Sequence, residues 1–209
     1  MPVRPSRNRA RGRTAVAALP DRERVGGRLR AIRKGHALTL KALSARSGVA
    51  LSTLSKIELG QISVSYEKFA AVARALDVDI GALFDPRTSA ASTAGKRPVV
   101  VRSTLAAAPG YDAENYDYRM LATEFPAKRM TPLHGIIVAR RLAQFPDYIR
   151  HPGQEFVMVL SGRVRIHFET GEAIDLARQE SAYFDSGVGH VYLSTSKSDA
   201  HVVVVMADR

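Results

Sequence analysis

Four polar side chains between residues 51 and 59 could make hydrogen bonds to a polar or charged partner: Ser52, Thr53, Ser55 and Lys56. At helical spacing they leave Leu51, Leu54 and Ile57 for an opposite, buried face. Small hydroxyl groups let a helix approach a DNA groove closely, and hydroxyl and ammonium groups can bond base edges or phosphates. The pattern therefore predicts a helix face that suits a DNA major groove.

The elements that must position this face are two short helices joined by a turn. Leu40 and Leu43 follow Thr39, whose hydroxyl can cap the first turn. Gly48 and Gly60 can end the two helices, because glycine adopts the positive φ of a helix stop. This layout is that of a helix-turn-helix, although an ordinary pair of packed helices has the same spacing.

Residues 22–84 resemble the XRE-type helix-turn-helix domain of phage repressors. The matching stretches are Arg33, LTLKALSARSGVALSTLSKIELG, FAAVARALDV and ALF. The resemblance implies an ion pair between Arg33 and Glu58, whereas Leu40 and Leu59 replace residues that are often polar in the family. We expect DNA contacts from Leu51, Ser52, Thr53, Ser55, Lys56, Thr39 and Lys41, and phosphate contacts from Arg28 and Arg30.

The net charge of +11 is concentrated at the N-terminus, where eleven Lys and Arg residues up to Lys34 oppose only Asp21 and Glu23. Residues 1–20 are rich in Arg, Pro and Ala, and we expect a disordered basic arm that contacts DNA phosphates. A solvated tail that only aids solubility is the alternative. The chain has no cysteine, no signal-peptide pattern and no long apolar run, which predicts a cytoplasmic protein without disulfides or membrane spans.

The hydrophobic period divides the chain into two domains. Residues 21–85 have helical periodicity and predict five helices, the fourth of them capped by Ser65. Residues 86–98 have the composition of a linker. Residues 99–209 alternate with a period of two, which predicts about nine to eleven short strands in an antiparallel sandwich or barrel. The predicted fold class is an α-helical domain followed by an all-β domain.

Two stretches of the second domain contain histidine: HPGQEFVMVLSGRVRI from His151, and ESAYFDSGVGHVYL around His190. They resemble the two motifs of the cupin family, which are small double-stranded β-helix barrels. The resemblance carries the metal ligands of that family to Ile149, His151, Glu155 and His190. Because isoleucine cannot bind a metal, three ligands remain, the set that holds Fe(II) in facial triads and could also hold Zn, Ni or Mn. A metal-free cupin that binds an organic effector is the alternative.

The other side chains of this domain carry weaker signals. His134, His167 and His201 have no partner at ligand spacing, and we predict no role for them. The remaining candidates could line the barrel interior or form its core, and they are Met158, Tyr183, Phe184 and Tyr192.

The two domains together resemble the XRE–cupin regulators of bacteria. The resemblance implies a homodimeric transcriptional regulator, not an enzyme, that binds an inverted-repeat DNA operator and senses a small-molecule effector. The alternative is a metal-dependent oxygenase, because a group of mononuclear-iron epoxidases joins the same two domains around a His, Glu, His set. Their further substrate-binding residues have no match here. A metal-free toxin–antitoxin partner is a third hypothesis, which depends on the helix-turn-helix alone.

Overall fold

The computed structural model describes residues 22–84 and 98–207. The predicted basic arm at residues 1–20 lies outside them, as does the predicted linker except for its last residue. The described residues form five α-helices followed by nine strands, with one short 3-10 helix (Leu142–Gln144) among the strands, which confirms the predicted fold class.

The helices are α1 (Arg22–Gly35), α2 (Leu40–Ser47), α3 (Leu51–Glu58), α4 (Tyr66–Ala75) and α5 (Gly81–Phe84). The Thr39 hydroxyl accepts a hydrogen bond from the Ala42 N–H at 3.0 Å, as predicted, and Gly48 ends α2 at φ 72°. Ser65 occupies the cap position of α4, but its hydroxyl donates to the Glu67 carboxylate and makes no cap hydrogen bond. The predicted cap position is therefore confirmed, but the capping hydrogen bond is absent, because the hydroxyl is oriented toward the Glu67 carboxylate.

Helices α1 and α3 approach each other closely at Gly26. A Cβ atom at this glycine would lie 2.2 Å from the carbonyl oxygen of Ile57, so only glycine fits. The contact involves the last turn of α3, where Leu54 and Ile57 are buried. Leu51 begins the first turn, beyond this contact, and is 47% exposed. The expectation that Leu51 packs inward is therefore wrong.

Two antiparallel sheets form the second domain. The strands are β1 (Gly110–Asp112), β2 (Tyr116–Met120), β3 (Met130–Ile137), β4 (Gln154–Ser161), β5 (Arg163–Phe168), β6 (Ala173–Ala177), β7 (Ser181–Asp185), β8 (His190–Ser194) and β9 (Ala200–Ala207). One sheet has the order β1-β2-β3-β9-β4-β7 and the other has the order β6-β5-β8. The inward side chains of both sheets form the core of the domain.

Strand register determines which aromatic side chains reach the interior. Glu155 is paired with Phe184 and faces inward, whereas Phe156 is paired with Tyr183 and faces outward. Tyr183 is 65% exposed and Met158 is 36% exposed, so neither lines the interior as expected. Alternation along a strand places Met158 on the same outer face as Phe156.

Helix α4 contributes two aromatic side chains to the interface between the domains. The Tyr111 ring packs edge-on against Phe69, with ring centroids 4.9 Å apart, and its hydroxyl accepts a hydrogen bond from the Val64 N–H at 2.7 Å. Tyr66 packs against Tyr118 at 5.9 Å. These contacts join the two domains into one continuous hydrophobic core.

Candidate functional site

The polar face of α3 lies at the surface of the helical domain. Ser52 and Lys56 are exposed, while Thr53 and Ser55 are half-buried at its margins. Leu51 adds an exposed apolar group at the start of the same helix. This face combines hydrogen-bonding groups, one positive charge and one apolar side chain, the kinds of group that contact base edges and phosphates.

A buried ion pair attaches the rear of α3 to α1. Arg33 donates from Nε to Glu58 Oε1 at 2.6 Å and from Nη2 to Oε2 at 2.8 Å. Its Nη1 also donates to the Leu38 carbonyl at 2.7 Å. The predicted pair is confirmed, and its bidentate geometry restrains the orientation of α3.

The remaining residues proposed for DNA contact differ in their availability. Lys41 and Arg30 are exposed. Thr39 is exposed, but its hydroxyl is engaged as the cap of α2. Arg28 is half-buried and donates from Nε to the Ala82 carbonyl, which ties α1 to α5. This bond engages Arg28 within the helical domain, and its phosphate contact stays a prediction.

The interior of the β domain brings together His151, Glu155 and His190. Their ligand atoms all lie within 4.8 Å of one another, and all three side chains are buried. Glu155 projects from β4 and His190 from β8, which belong to different sheets. Ile149 pairs through its backbone with His190, and this pairing brings the segment that carries His151 beside β8.

Hydrogen bonds organise this cluster around the Glu155 carboxylate. His151 Nε2 lies 2.8 Å and His190 Nε2 lies 3.7 Å from Glu155 Oε2. The Tyr192 hydroxyl donates to Oε1. Burial alone would raise the pKa of Glu155, but the hydrogen bonds and charges of the two histidines outweigh it and hold the pKa at about 2.

The second ring nitrogen of His190 has a backbone partner. Nδ1 lies 2.9 Å from the Val188 carbonyl, to which a protonated Nδ1 donates. With Nδ1–H directed at this carbonyl, Nε2 is the ring nitrogen that faces Glu155 and that would bind a metal. Although burial opposes the charged ring, the nearby Glu155 carboxylate leaves the pKa of His190 raised overall.

This donor set fits a divalent cation. Two imidazoles and one carboxylate converge in a buried site, and at least one ring has the supporting carbonyl that ordinarily accompanies a metal-bound histidine. Three protein ligands leave further coordination positions for water or another small molecule. His151, Glu155 and His190 are therefore the residues that would hold a metal ion.

A narrow cavity adjoins the cluster, with a free volume of about 30 Å³. Since one water needs roughly 10–15 Å³ on this measure, the space corresponds to about two waters. The walls are mainly apolar and aromatic side chains of the barrel. Tyr66 and Glu67 of α4 complete them, so the helical domain contributes directly to the site.

Sequence reasoning missed three features of the barrel. Tyr192 holds Glu155, and Glu67 reaches the cavity from the other domain. His134 and His201, which were given no partner, lie 3.2 Å apart between His134 Nε2 and His201 Nδ1. They are diagonal neighbours on β3 and β9, a relation that only the strand register reveals.

Burial lowers the pKa of His134 to about 4, with further contributions from the positive charges of His201 and Arg119. His134 is therefore neutral at physiological pH.

Among the described helices, none is both long enough and apolar enough to cross a membrane.

Family models match both parts of the chain. A model described as Helix-turn-helix matches residues 29–83, and one described as Cupin domain matches residues 143–206. No curated protein matches the chain.

Two kinds of solved structure are similar to the chain. An HTH_3 family transcriptional regulator from Vibrio cholerae is 19% identical, with a TM-score of 0.60, and the match covers 90% of this chain and 98% of that one. Hydroxypropylphosphonic acid epoxidase from S. wedmorenis is also 19% identical, covering 89% and 98% of the two chains, with a TM-score of 0.47. The first likeness supports the fold, and the second is too distant for an argument. The chain therefore contains a helix-turn-helix domain followed by a cupin domain.

Proposed function

We propose that this chain regulates transcription by binding an operator through α3 and sensing a ligand in its cupin domain. The observation that carries the proposal is the exposed polar face of α3, held from behind by the buried Arg33–Glu58 pair. A helix that is restrained in this way can present Ser52 and Lys56 to a major groove with little further loss of conformational entropy on binding. A cytoplasmic location belongs to the same proposal.

The expected partner is double-stranded DNA with an inverted repeat. A two-fold homodimer places two copies of α3 about one helical turn of DNA apart, so the two half-sites have opposite orientation. We propose that the outer face of the six-stranded sheet forms the dimer contact. Phe156, Met158 and Tyr183 are neighbours there on β4 and β7, and Val203 and Val205 extend the apolar surface onto β9.

The sensing step follows from the position of the cavity between the two domains. A ligand in the cavity contacts both the barrel and the first turn of α4. A ligand that binds one arrangement of the domains more tightly than another shifts the population toward it. The ligand that the donor set favours is a divalent cation, either alone or with a small molecule in its open positions.

Operator selection from random duplex DNA tests the DNA-binding proposal. We expect an inverted repeat, and Lys56→Ala should weaken binding by about 1–3 kcal/mol if Lys56 reads a base. Lys197→Ala, at an exposed position of the barrel, is the matched control and should bind normally. Recovery of unrelated sequences without symmetry, together with unchanged affinity of the Lys56 variant, would contradict the assignment.

The dimer contact is tested by reversing its polarity. A Met158→Glu/Tyr183→Lys variant should sediment as a monomer and lose affinity for the full operator, while a single half-site is still bound weakly. Both side chains are exposed in the isolated chain, so the replacements leave the core intact. A variant that stays dimeric would place the contact elsewhere.

The buried triad also favours a second candidate, a metal-dependent oxygenase. A bound iron would supply redox and oxygen chemistry, and His151, Glu155 and His190 would hold it. Metal analysis of the purified chain, with a His151→Ala/His190→Ala variant as control, separates the alternatives. If the unaltered chain binds stoichiometric metal and the variant does not, both candidate functions remain. If the unaltered chain contains no metal and still binds its operator, the oxygenase is excluded.

A further inference from the structure

Glu67, like its neighbour Tyr66, is a residue of the DNA-binding domain that lines the cupin cavity. It lies in the first turn of α4 and lines the same cavity as His151, Glu155 and His190. One carboxylate oxygen, Oε1, accepts a hydrogen bond from the Ser65 hydroxyl. The other oxygen, Oε2, is buried and has no hydrogen-bond partner.

An unpartnered carboxylate oxygen in such a place is costly. Burying an acceptor without a hydrogen bond costs roughly 1–3 kcal/mol, and more for a charged group. Burial accordingly raises the pKa of Glu67, although its own backbone, Lys68 and the two cluster histidines act in the opposite direction. A donor or a positive charge in the cavity would remove this penalty.

Glu67 lies outside the group of ligand atoms that are within 4.8 Å of one another. It is therefore positioned as an outer partner of the centre rather than as a direct ligand. The adjoining cavity has space for about two waters, which is enough to place a water between the centre and Oε2.

The ligand set has an opening that such a water would fill. Residue 149, where the resembled cupin motif has a histidine, is isoleucine, and it also lines the cavity. A divalent cation on His151, Glu155 and His190 would therefore complete its coordination with water or another exchangeable ligand. Water bound to a cation is a strong hydrogen-bond donor, and a carboxylate is the complementary acceptor.

We propose that Glu67 accepts a hydrogen bond from water on a divalent cation held by His151, Glu155 and His190. The DNA-binding domain then supplies an outer carboxylate of the metal centre. This inference rests on the metal site included in the proposed function.

The contact connects metal occupancy to the helical domain. Glu67 belongs to α4, whose buried face packs in the same core as the helix-turn-helix and against Tyr111 of the barrel. A bound cation would hold the first turn of α4 on the barrel and make one arrangement of the two domains more favourable. Metal binding and DNA binding would then be coupled in both directions, as thermodynamic linkage requires.

Calorimetric titration of the full chain with Co²⁺ tests the proposal. The variants are Glu67→Gln, which removes the charge but keeps a similar shape, and Glu67→Leu, which removes both acceptor oxygens. Glu172→Gln, at an exposed carboxylate of the β5–β6 turn, is the matched control. Circular dichroism checks that each variant is folded.

We expect the unaltered chain and Glu172→Gln to bind one Co²⁺ with equal affinity. Loss of an outer-shell partner typically costs 10–100-fold in metal affinity, so Glu67→Leu should bind at least about tenfold more weakly, with Glu67→Gln between the two. Hydrogen exchange should report slower exchange in the first turn of α4 when Co²⁺ binds, and this change should disappear in Glu67→Leu.

The outcomes separate this inference from the proposed function. Equal Co²⁺ affinity and equal α4 protection in folded Glu67 variants would overturn the role of Glu67 and leave the metal site in place. Failure of the unaltered chain to bind Co²⁺ would overturn both the metal site and the role of Glu67. Weaker Co²⁺ binding without a change in α4 protection would also overturn the coupling between the domains.

Discussion

Replacing Glu58 with alanine should destabilise the helical domain much more than it alters the recognition surface. The Arg33 and Glu58 side chains are 9% and 5% exposed, and two hydrogen bonds of 2.6 and 2.8 Å join them. In Glu58→Ala the guanidinium stays buried with the Leu38 carbonyl as its remaining partner in this network. Breaking a buried pair in this way costs about 3–5 kcal/mol. We expect the lower end of that range, because the retained carbonyl still accepts one hydrogen bond.

The measurement is urea unfolding followed by far-ultraviolet circular dichroism, which reports the helices in a chain without tryptophan. A double-mutant cycle with Arg33→Met, Glu58→Leu and Arg33→Met/Glu58→Leu separates the loss of the pair from the cost of an unpaired buried charge. We expect the double variant to recover most of the loss, since an apolar pair of similar volume leaves no buried charge. A free energy of unfolding within about 0.5 kcal/mol of the original value in Glu58→Ala would refute the reasoning.

Three further predictions use matched changes. Gly26→Ala should lower stability by at least about 2 kcal/mol, because its methyl group would meet backbone of α3, whereas Gly27→Ala has free space and should raise stability by about 0.5–1 kcal/mol in thermal or urea unfolding. Arg30→Ala should reduce the salt dependence of operator binding by about one phosphate contact, because Arg30 is exposed. Arg28→Ala should chiefly lower stability, because Arg28 donates a hydrogen bond to the Ala82 carbonyl. The reverse result would indicate that Arg28 contacts DNA. His134 has a folded pKa of about 4 against about 6.5 for an unfolded histidine, so the unfolded chain binds more protons between these values. Stability should therefore fall as the pH drops from about 6.5 to 4, by up to about 1.4 kcal/mol per pH unit, and His134→Gln should flatten that dependence.

The helix-turn-helix was predictable because its determinants are local. The spacing of Leu43, Leu54 and Ile57, the Thr39 cap and the Gly48 stop each act within one or two turns. Periodicity also separated the helical domain from the strands. Periodicity did not predict the exposure of Leu51, because the position at which α1 crosses α3 determines where the buried face of α3 ends.

The barrel site was predictable only in part. His151, Glu155 and His190 were identified through their resemblance to a known motif. The packing of the two sheets and the backbone bridge between Ile149 and His190 bring their ligand atoms within 4.8 Å of one another. The Tyr192 hydroxyl reaches Glu155 because the two sheets pack against each other. The contact between His134 and His201 follows from the register of β3 and β9. The number of residues between two positions in the sequence does not give the distance between their side chains in the fold.

The sequence by itself determined the order of the two domains, the helix that presents Lys56, and the chemical types available in the cupin motifs. Those properties depend on local spacing, on glycine conformation and on residue chemistry. Tertiary structure alone decided that Arg28 is tied to α5, that Tyr183 faces outward, and that Glu67 of the DNA-binding domain lines the cupin cavity. The physical reason is that packing between distant elements decides which polar atoms are buried, and with it which of them still need a partner.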